Sequence, residues 1–384
     1  MAVPAIAWAL LLSHAVGQTS GEGKRQYEAR CVSCHGVHGI LPASDARSPI
    51  HATNVPTTCA RCHSDSGLMA SYAIATDQFA KYQRSVHGRL LKEKGETRVA
   101  TCISCHSVHG IRAPSDPLSS VYPSNVANTC AKCHASADYM KPFGIPTNQF
   151  DNYKLSVHAK ALYDKQDLSA PTCNDCHGNH GATPPGIASV ANVCGQCHAR
   201  QAELFQTSPH KKAFDDRQLG ECITCHGNHA IPKPGDQMIG TQPGALCVNC
   251  HTAGDKGFVA AGTMRSRIDD LIANINKSTA ILNLAERKGM EVSKPKFELK
   301  GATDALTHAR VLIHSSSTAE VDKVIGPGMD VASKGYQAGV GALAELSFRR
   351  KGLAVSLLFI LFLAMLVYLK IRQIEARQQQ TDIG

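Results

Sequence analysis

All 16 cysteines of this chain fall in one pattern, two cysteines separated by two residues and followed at once by a histidine. The pairs are Cys31 and Cys34, Cys59 and Cys62, Cys102 and Cys105, Cys130 and Cys133, Cys173 and Cys176, Cys194 and Cys197, Cys222 and Cys225, and Cys247 and Cys250. The histidines that follow are His35, His63, His106, His134, His177, His198, His226 and His251. CxxCH is the attachment motif of covalent haem c, in which each thiol adds to a porphyrin vinyl group and the histidine becomes the proximal iron ligand. Zinc ribbons, disulfides and redox CxxC pairs have no need of a histidine after every second cysteine. The pattern therefore predicts eight covalently bound haem c groups, each with its iron.

From residue 27 to residue 251 the chain repeats, and self-similarity of this kind sets the architecture. Motifs that open a repeat start at Cys31, Cys102, Cys173 and Cys222 and carry a second histidine three residues on: His38, His109, His180 and His229. The second motif of each repeat has no such extension. Amphipathic runs between repeats each end in a histidine, giving FAKYQRSVHGRLL with His87, FDNYKLSVHAKAL with His158 and LFQTSPHKKAF with His210. Pro, Ser and Asn fill the stretches between the two motifs of a repeat, which marks them as loop.

Of 19 histidines, eight sit in the motifs and His14 lies in the amino-terminal apolar run, so ten remain. Eight of these are candidate distal ligands: His38, His51, His87, His109, His158, His180, His210 and His229. Recurrence at equivalent positions supports most of them, whereas His51 stands where the second repeat has Tyr122. His308 and His314 lie far downstream and are expected to be ordinary helix residues. Met69 and Met140 are repeat-equivalent, but the third copy has Leu204, which points to packing. Ligation by histidine alone keeps haem potentials low, since methionine raises them.

Each haem has only roughly 28 residues around it, too few for separate hydrophobic pockets. Porphyrins must then pack on one another and on short helices, which agrees with an aromatic content of 5%. The formal charge of +9 does not indicate nucleic acid. Eight bis-histidine ferric haems with their propionates offset roughly −8 of it, and no basic cluster is interleaved with aromatics.

The flanks concern targeting. Residues 1–17 resemble a signal peptide, with an apolar run too short to span a membrane and a small-residue site at Ala15-Val16-Gly17. The haem region is assigned to residues 18–257. Residues 258–349 lack cysteine and predict an α-helical hairpin or coiled coil. Its first helix has a heptad seam of Met264, Ile268, Leu271, Ile275, Ser278, Leu282 and Ala285. Gly289 and Pro295 end that helix; the second turns Ala302, Ala305, Ala309 and Leu312 inward. Gly326-Pro327-Gly328 is expected to break or kink the chain before a third helix through Val340, Leu343 and Leu346. Residues 350–370 contain an uncharged run of 18 residues, Gly352–Leu369, long enough for one transmembrane helix. Basic residues flank both ends, so loop charge gives no orientation. Haem c is attached outside the cytoplasm, which places the amino side in the periplasm and leaves residues 371–384 as a short cytoplasmic tail.

The string SxHG…CxxCHGxHG…CxxCH resembles periplasmic multihaem c-type cytochromes with doubled CxxCH motifs, over residues 27–251. That resemblance implies a mainly α, irregular fold around stacked haems. It also makes the SxH and HxxH histidines, here His87, His158 and His210 and His38, His109, His180 and His229, distal ligands. The implied activity is electron relay between an integral, quinone-reactive, cytochrome b-like membrane subunit and periplasmic cytochromes in respiration. The alternative is a multihaem reductase of a small nitrogen or sulfur oxyanion with one open-coordination haem. Related reductases typically carry a lysine in one attachment motif, and no CxxCK occurs here.

Overall fold

A computed structural model describes residues 31–70, 72–185 and 190–381, with side chains as far as residue 377. The signal-peptide segment, residues 1–17, lies outside the described residues. The fold is mainly α, and its helices are short as far as residue 251 and long beyond it. Two compact units can be recognised: one runs to residue 193 and includes residues 226–233, the other comprises residues 194–225 and 234 onward.

In the first unit the repeat sequence becomes a repeated local structure. Each inter-repeat run forms two helices rather than one, Gln78–Arg84 then Val86–Lys94, and Gln149–Leu155 then Val157–Asp164. The serine of SxH separates them. Ser85 Oγ accepts from Gly88 N–H at 2.9 Å and Ser156 Oγ from Ala159 N–H at 3.0 Å, so each caps the helix that carries the histidine. A tyrosine in the preceding helix ties the run forward. Tyr82 Oη donates to the Ala100 carbonyl and Tyr153 Oη to the Pro171 carbonyl, both at 3.0 Å, just ahead of the next motif. Apolar packing is sparse; one small cluster joins Ala127, Tyr153 and Ala159 with Phe150 and Cys173. Met69 and Met140 are buried, as packing residues should be.

The second unit holds an apolar core of its own. Lys256–Arg287, Lys300–Leu312 and Thr318–Thr381 pack around Ile268, Leu271, Leu282, Ala302, Ala309, Val321 and Ala332, all fully buried. A wholly buried leucine or isoleucine contributes about 1.5–3 kcal/mol relative to exposure. The heptad seam of the first helix is as expected, with Ile275 only partly covered.

The long helix differs from expectation. It runs without interruption through Gly326-Pro327-Gly328. Pro327 lies on the exposed face, where the carbonyl it deprives of an intrahelical donor can bond water. Gly328 faces inward, and a Cβ there would stand 2.7 Å from Ala305 Cβ. Its buried seam is Val321, Ile325, Gly328, Ala332, Gly335 and Gly339, at spacings of four and three, whereas Val340 is exposed. Small residues let the helices approach closely; at Gly339 a Cβ would stand 2.6 Å from Ile281. The same helix continues into the apolar run, where large side chains from Leu353 to Leu369 are exposed. It is the one helix among the described residues long and apolar enough to cross a membrane.

Candidate haem-binding site

The attachment motifs form short helices or end longer ones. Cys102–His106 begins with a capping box of Thr101 and Ser104, and Cys173–His177 with one of Thr172 and Asp175. Second motifs close the helices Val55–His63 and Pro123–His134. None of the 16 cysteines is buried, although unpaired cysteines are usually among the most buried residues. Among the described residues no three His, Cys, Asp or Glu side chains converge on a bare-ion site.

The histidines instead meet in pairs. His35 lies opposite His109, His106 opposite His180, and His177 opposite His229, with ring centres 6.1, 6.0 and 5.9 Å apart. His87 lies opposite His134 at 6.1 Å and His210 opposite His251 at 5.9 Å. Two imidazoles bound to one metal through bonds of about 2 Å, with ring centres roughly 1 Å further out, stand about 6 Å apart. The residues present therefore fit a haem iron held between each pair. The first three pairs are nearly coplanar, with angles of 22°, 8° and 10° between rings; the other two are tilted at 55° and 58°.

The pairing is offset by one repeat. An HxxH histidine faces the first motif of the preceding repeat, not its own. Two local features cause this. The residue after the histidine of each repeat's first motif has positive φ, +79° at Gly36, +67° at Ser107, +78° at Gly178 and +72° at Gly227, so the chain turns away from its own proximal ligand. The strand of loop that follows is then fixed elsewhere. Val86 N–H donates to the Ala182 carbonyl at 3.1 Å and Val157 N–H to the Ile231 carbonyl at 2.9 Å, which locates His180 and His229. Two inter-repeat histidines, His87 and His210, face the second motif of the repeat that follows. His158 occupies the position equivalent to His87, second in its helix behind Ser156. His38 is exposed in the turn after Cys31–His35, and His51 has its Nδ1 2.8 Å from Thr53 Oγ1.

Burial lowers the pKa of His87, His106, His134, His180, His210 and His229, with smaller contributions from neighbouring histidines. The rings are thus held neutral near pH 7, the form that binds metal. Attachment residues of consecutive motifs also neighbour one another. In the first unit Cys34 is within electrostatic reach of Cys59 and Cys62, Cys59 of Cys102, Cys105 of Cys133, and Cys130 of Cys173. In the second unit Cys194 is within reach of Cys222, and Cys225 of Cys247 and Cys250. Groups attached at these cysteines are adjacent in sequence order within each unit.

Comparison with known families agrees with this geometry. A family model for outer membrane cytochrome MtrC/MtrF-like domains II and IV matches residues 26–184, and one for cytochrome c3 matches residues 167–252. No solved structure matches the chain. The two family matches support a multihaem c-type cytochrome, with covalently bound haem c and an electron-transfer function.

Proposed function

We propose that this chain is an export-processed, single-span octahaem cytochrome c that relays electrons at the outer face of a bacterial cytoplasmic membrane. The observation that carries the reading is the set of five opposed histidine pairs, 5.9–6.1 Å between ring centres, beside attachment cysteines that neighbour one another along the chain. Bound haem supplies a one-electron ferric–ferrous couple. The protein's part is to hold both axial imidazoles neutral and fixed, so that little rearranges when an electron arrives. A histidine on each side of an iron also denies a substrate the metal. Distal candidates for the haems outside these pairs are His38, His51 and His158.

The apolar run Gly352–Leu369 anchors the chain, with the haem region in the periplasm and residues 371–384 in the cytoplasm. That run has no charged residue to move protons, so quinone chemistry belongs to an integral cytochrome b-like partner. Periplasmic cytochromes are the other exchange partners. Reductive titration of the purified full-length protein tests the assignment. It should take up eight electrons per chain, and the reduced protein should pass them to an external cytochrome while leaving nitrite, hydroxylamine and tetrathionate unconverted. Multiple turnovers of any of the three would replace the relay with the reductase.

A further inference from the structure

The second unit contains a histidine that the haem motifs and their repeats leave unexplained. Outside the motifs, its histidines are His210, His308 and His314. His210 is opposite His251, and His308 is exposed on Lys300–Leu312. His314 sits in the 3-10 turn Ile313–Ser315, between that helix and the long Thr318–Thr381 helix. Its Nδ1 donates to the Val311 carbonyl at 2.8 Å, which fixes the tautomer and makes Nε2 the metal-binding nitrogen.

Rings in the histidine pairs are held in the same way. His177 Nδ1 lies 3.3 Å from the Thr183 carbonyl, His251 Nδ1 3.1 Å from Asp255 Oδ1, and His210 Nδ1 2.6 Å from Ser316 Oγ. Ser316 is two residues from His314, so a single turn orients one distal ligand and carries another candidate. That turn packs against Ala199–Gln206, the helix that begins directly after the proximal residue His198. Burial, with a smaller contribution from the charge of His198, lowers the pKa of His314. A histidine that only caps a helix can also bond a terminal carbonyl, but it has no need of burial beside a proximal ligand.

We propose that His314 is an axial ligand to the haem of the second unit attached at Cys194 and Cys197, whose proximal residue is His198. The helical bundle that leads into the membrane anchor then holds the haem chain through an iron bond as well as through packing. The proposal rests on the reading that this cysteine pair carries haem, so the haem content of each protein is measured first.

The test uses full-length holoprotein in detergent, with His314→Ala, His314→Met and, as a control, His308→Ala. With haem content equal to wild type, His314→Ala should convert one iron per chain to high spin in the ferric electron paramagnetic resonance spectrum. Its ferrous form should bind carbon monoxide at that one haem. His314→Met should restore a low-spin iron at a raised potential, and His308→Ala should change nothing. Repeating His314→Ala without the Cys194–Cys197 haem should abolish the high-spin signal, and repeating it without the Cys222–Cys225 haem should preserve it; the reverse would overturn the assignment. Low-spin spectra throughout in His314→Ala at full haem loading would reduce the residue to a helix cap and overturn the proposal. Wild-type protein lacking haem at Cys194 and Cys197 would overturn the attachment reading instead.

Discussion

Replacing His180 by alanine tests the offset between repeats directly. The ring is 6.0 Å from His106 and nearly parallel to it, and takes part in no other histidine pair. Its own motif, three residues upstream, is the one completed by His177, which faces His229 instead. Loss of the imidazole should therefore leave one iron of the proposed eight, about an eighth of the total signal, high-spin, since pairs that share no residue respond independently. The affected iron should be the one at Cys102 and Cys105. Electron paramagnetic resonance with spin counting measures the fraction. The location comes from repeating the substitution without the haem at Cys102–Cys105, which should abolish the high-spin signal, and without the haem at Cys173–Cys176, which should preserve it. The reverse outcome would mean that each HxxH histidine serves its own haem, and the register argued from Gly178 and the Val86–Ala182 hydrogen bond would be wrong. His180→Met should return the iron to low spin.

Four further outcomes follow from the same structure. Gly88→Ala would place a Cβ 1.9 Å from the Tyr82 carbonyl oxygen, so the helix bearing His87 must shift, and the iron at Cys130–Cys133 should turn at least partly high-spin; an unchanged spectrum would count against that placement. Leu282→Ala, at a side chain with 0% exposure, should cost about 2–5 kcal/mol, read from the denaturant midpoint of the helical unit, and a loss below about 1 kcal/mol would contradict the seam. Truncation before Gly352 should release a fully haem-loaded protein into the soluble fraction, and retention in the membrane after a salt wash would disprove the single anchor. Burial depresses the pKa of His87, His180 and His210, and iron ligation as proposed would lower it further, so the unfolded chain protonates first as pH falls. Stability should be complete above the unfolded value of about 6.5 and decline below it, towards the lower folded values. A thermal midpoint that rose on going from about pH 7 to pH 5 would reverse that sign.

What the sequence made legible was whatever is local and repeated. The CxxCH motifs, their HxxH extensions and the heptad from Met264 to Ala285 each depend on residues within a turn or two of one another. The identity of each distal partner was not legible, because His109 and His35 belong to different repeats and meet only through the sharp turn after each motif. Gly326-Pro327-Gly328 misled for a related reason. Its local propensity is to break a helix, but packing of Gly328 against Ala305 and exposure of Pro327 keep the helix continuous. Beyond Ile325 the buried seam of that helix is made of glycine and alanine, Gly328, Ala332, Gly335 and Gly339, which carry little hydrophobic signal. His314 has no repeat-equivalent in the sequence, and the proposal for it rests on the packing of its turn beside the helix that follows His198.

The offset register also governs the order in which the chain can be completed. If the chain is exported as proposed, its amino end emerges first. The haem at Cys130–Cys133 finds its distal ligand, His87, already outside when its cysteines arrive. The haem at Cys31–Cys34 has to wait for His109, and that at Cys102–Cys105 for His180, each in a repeat not yet exported. On the proposed reading, alternate haems would pass through an interval with one face open to solvent, closed only by arrival of the next repeat. Maturation becomes directional: an arrest between repeats would strand the last opening haem in a ligand-accessible, oxygen-reactive state, while the closing haem behind it was already sealed.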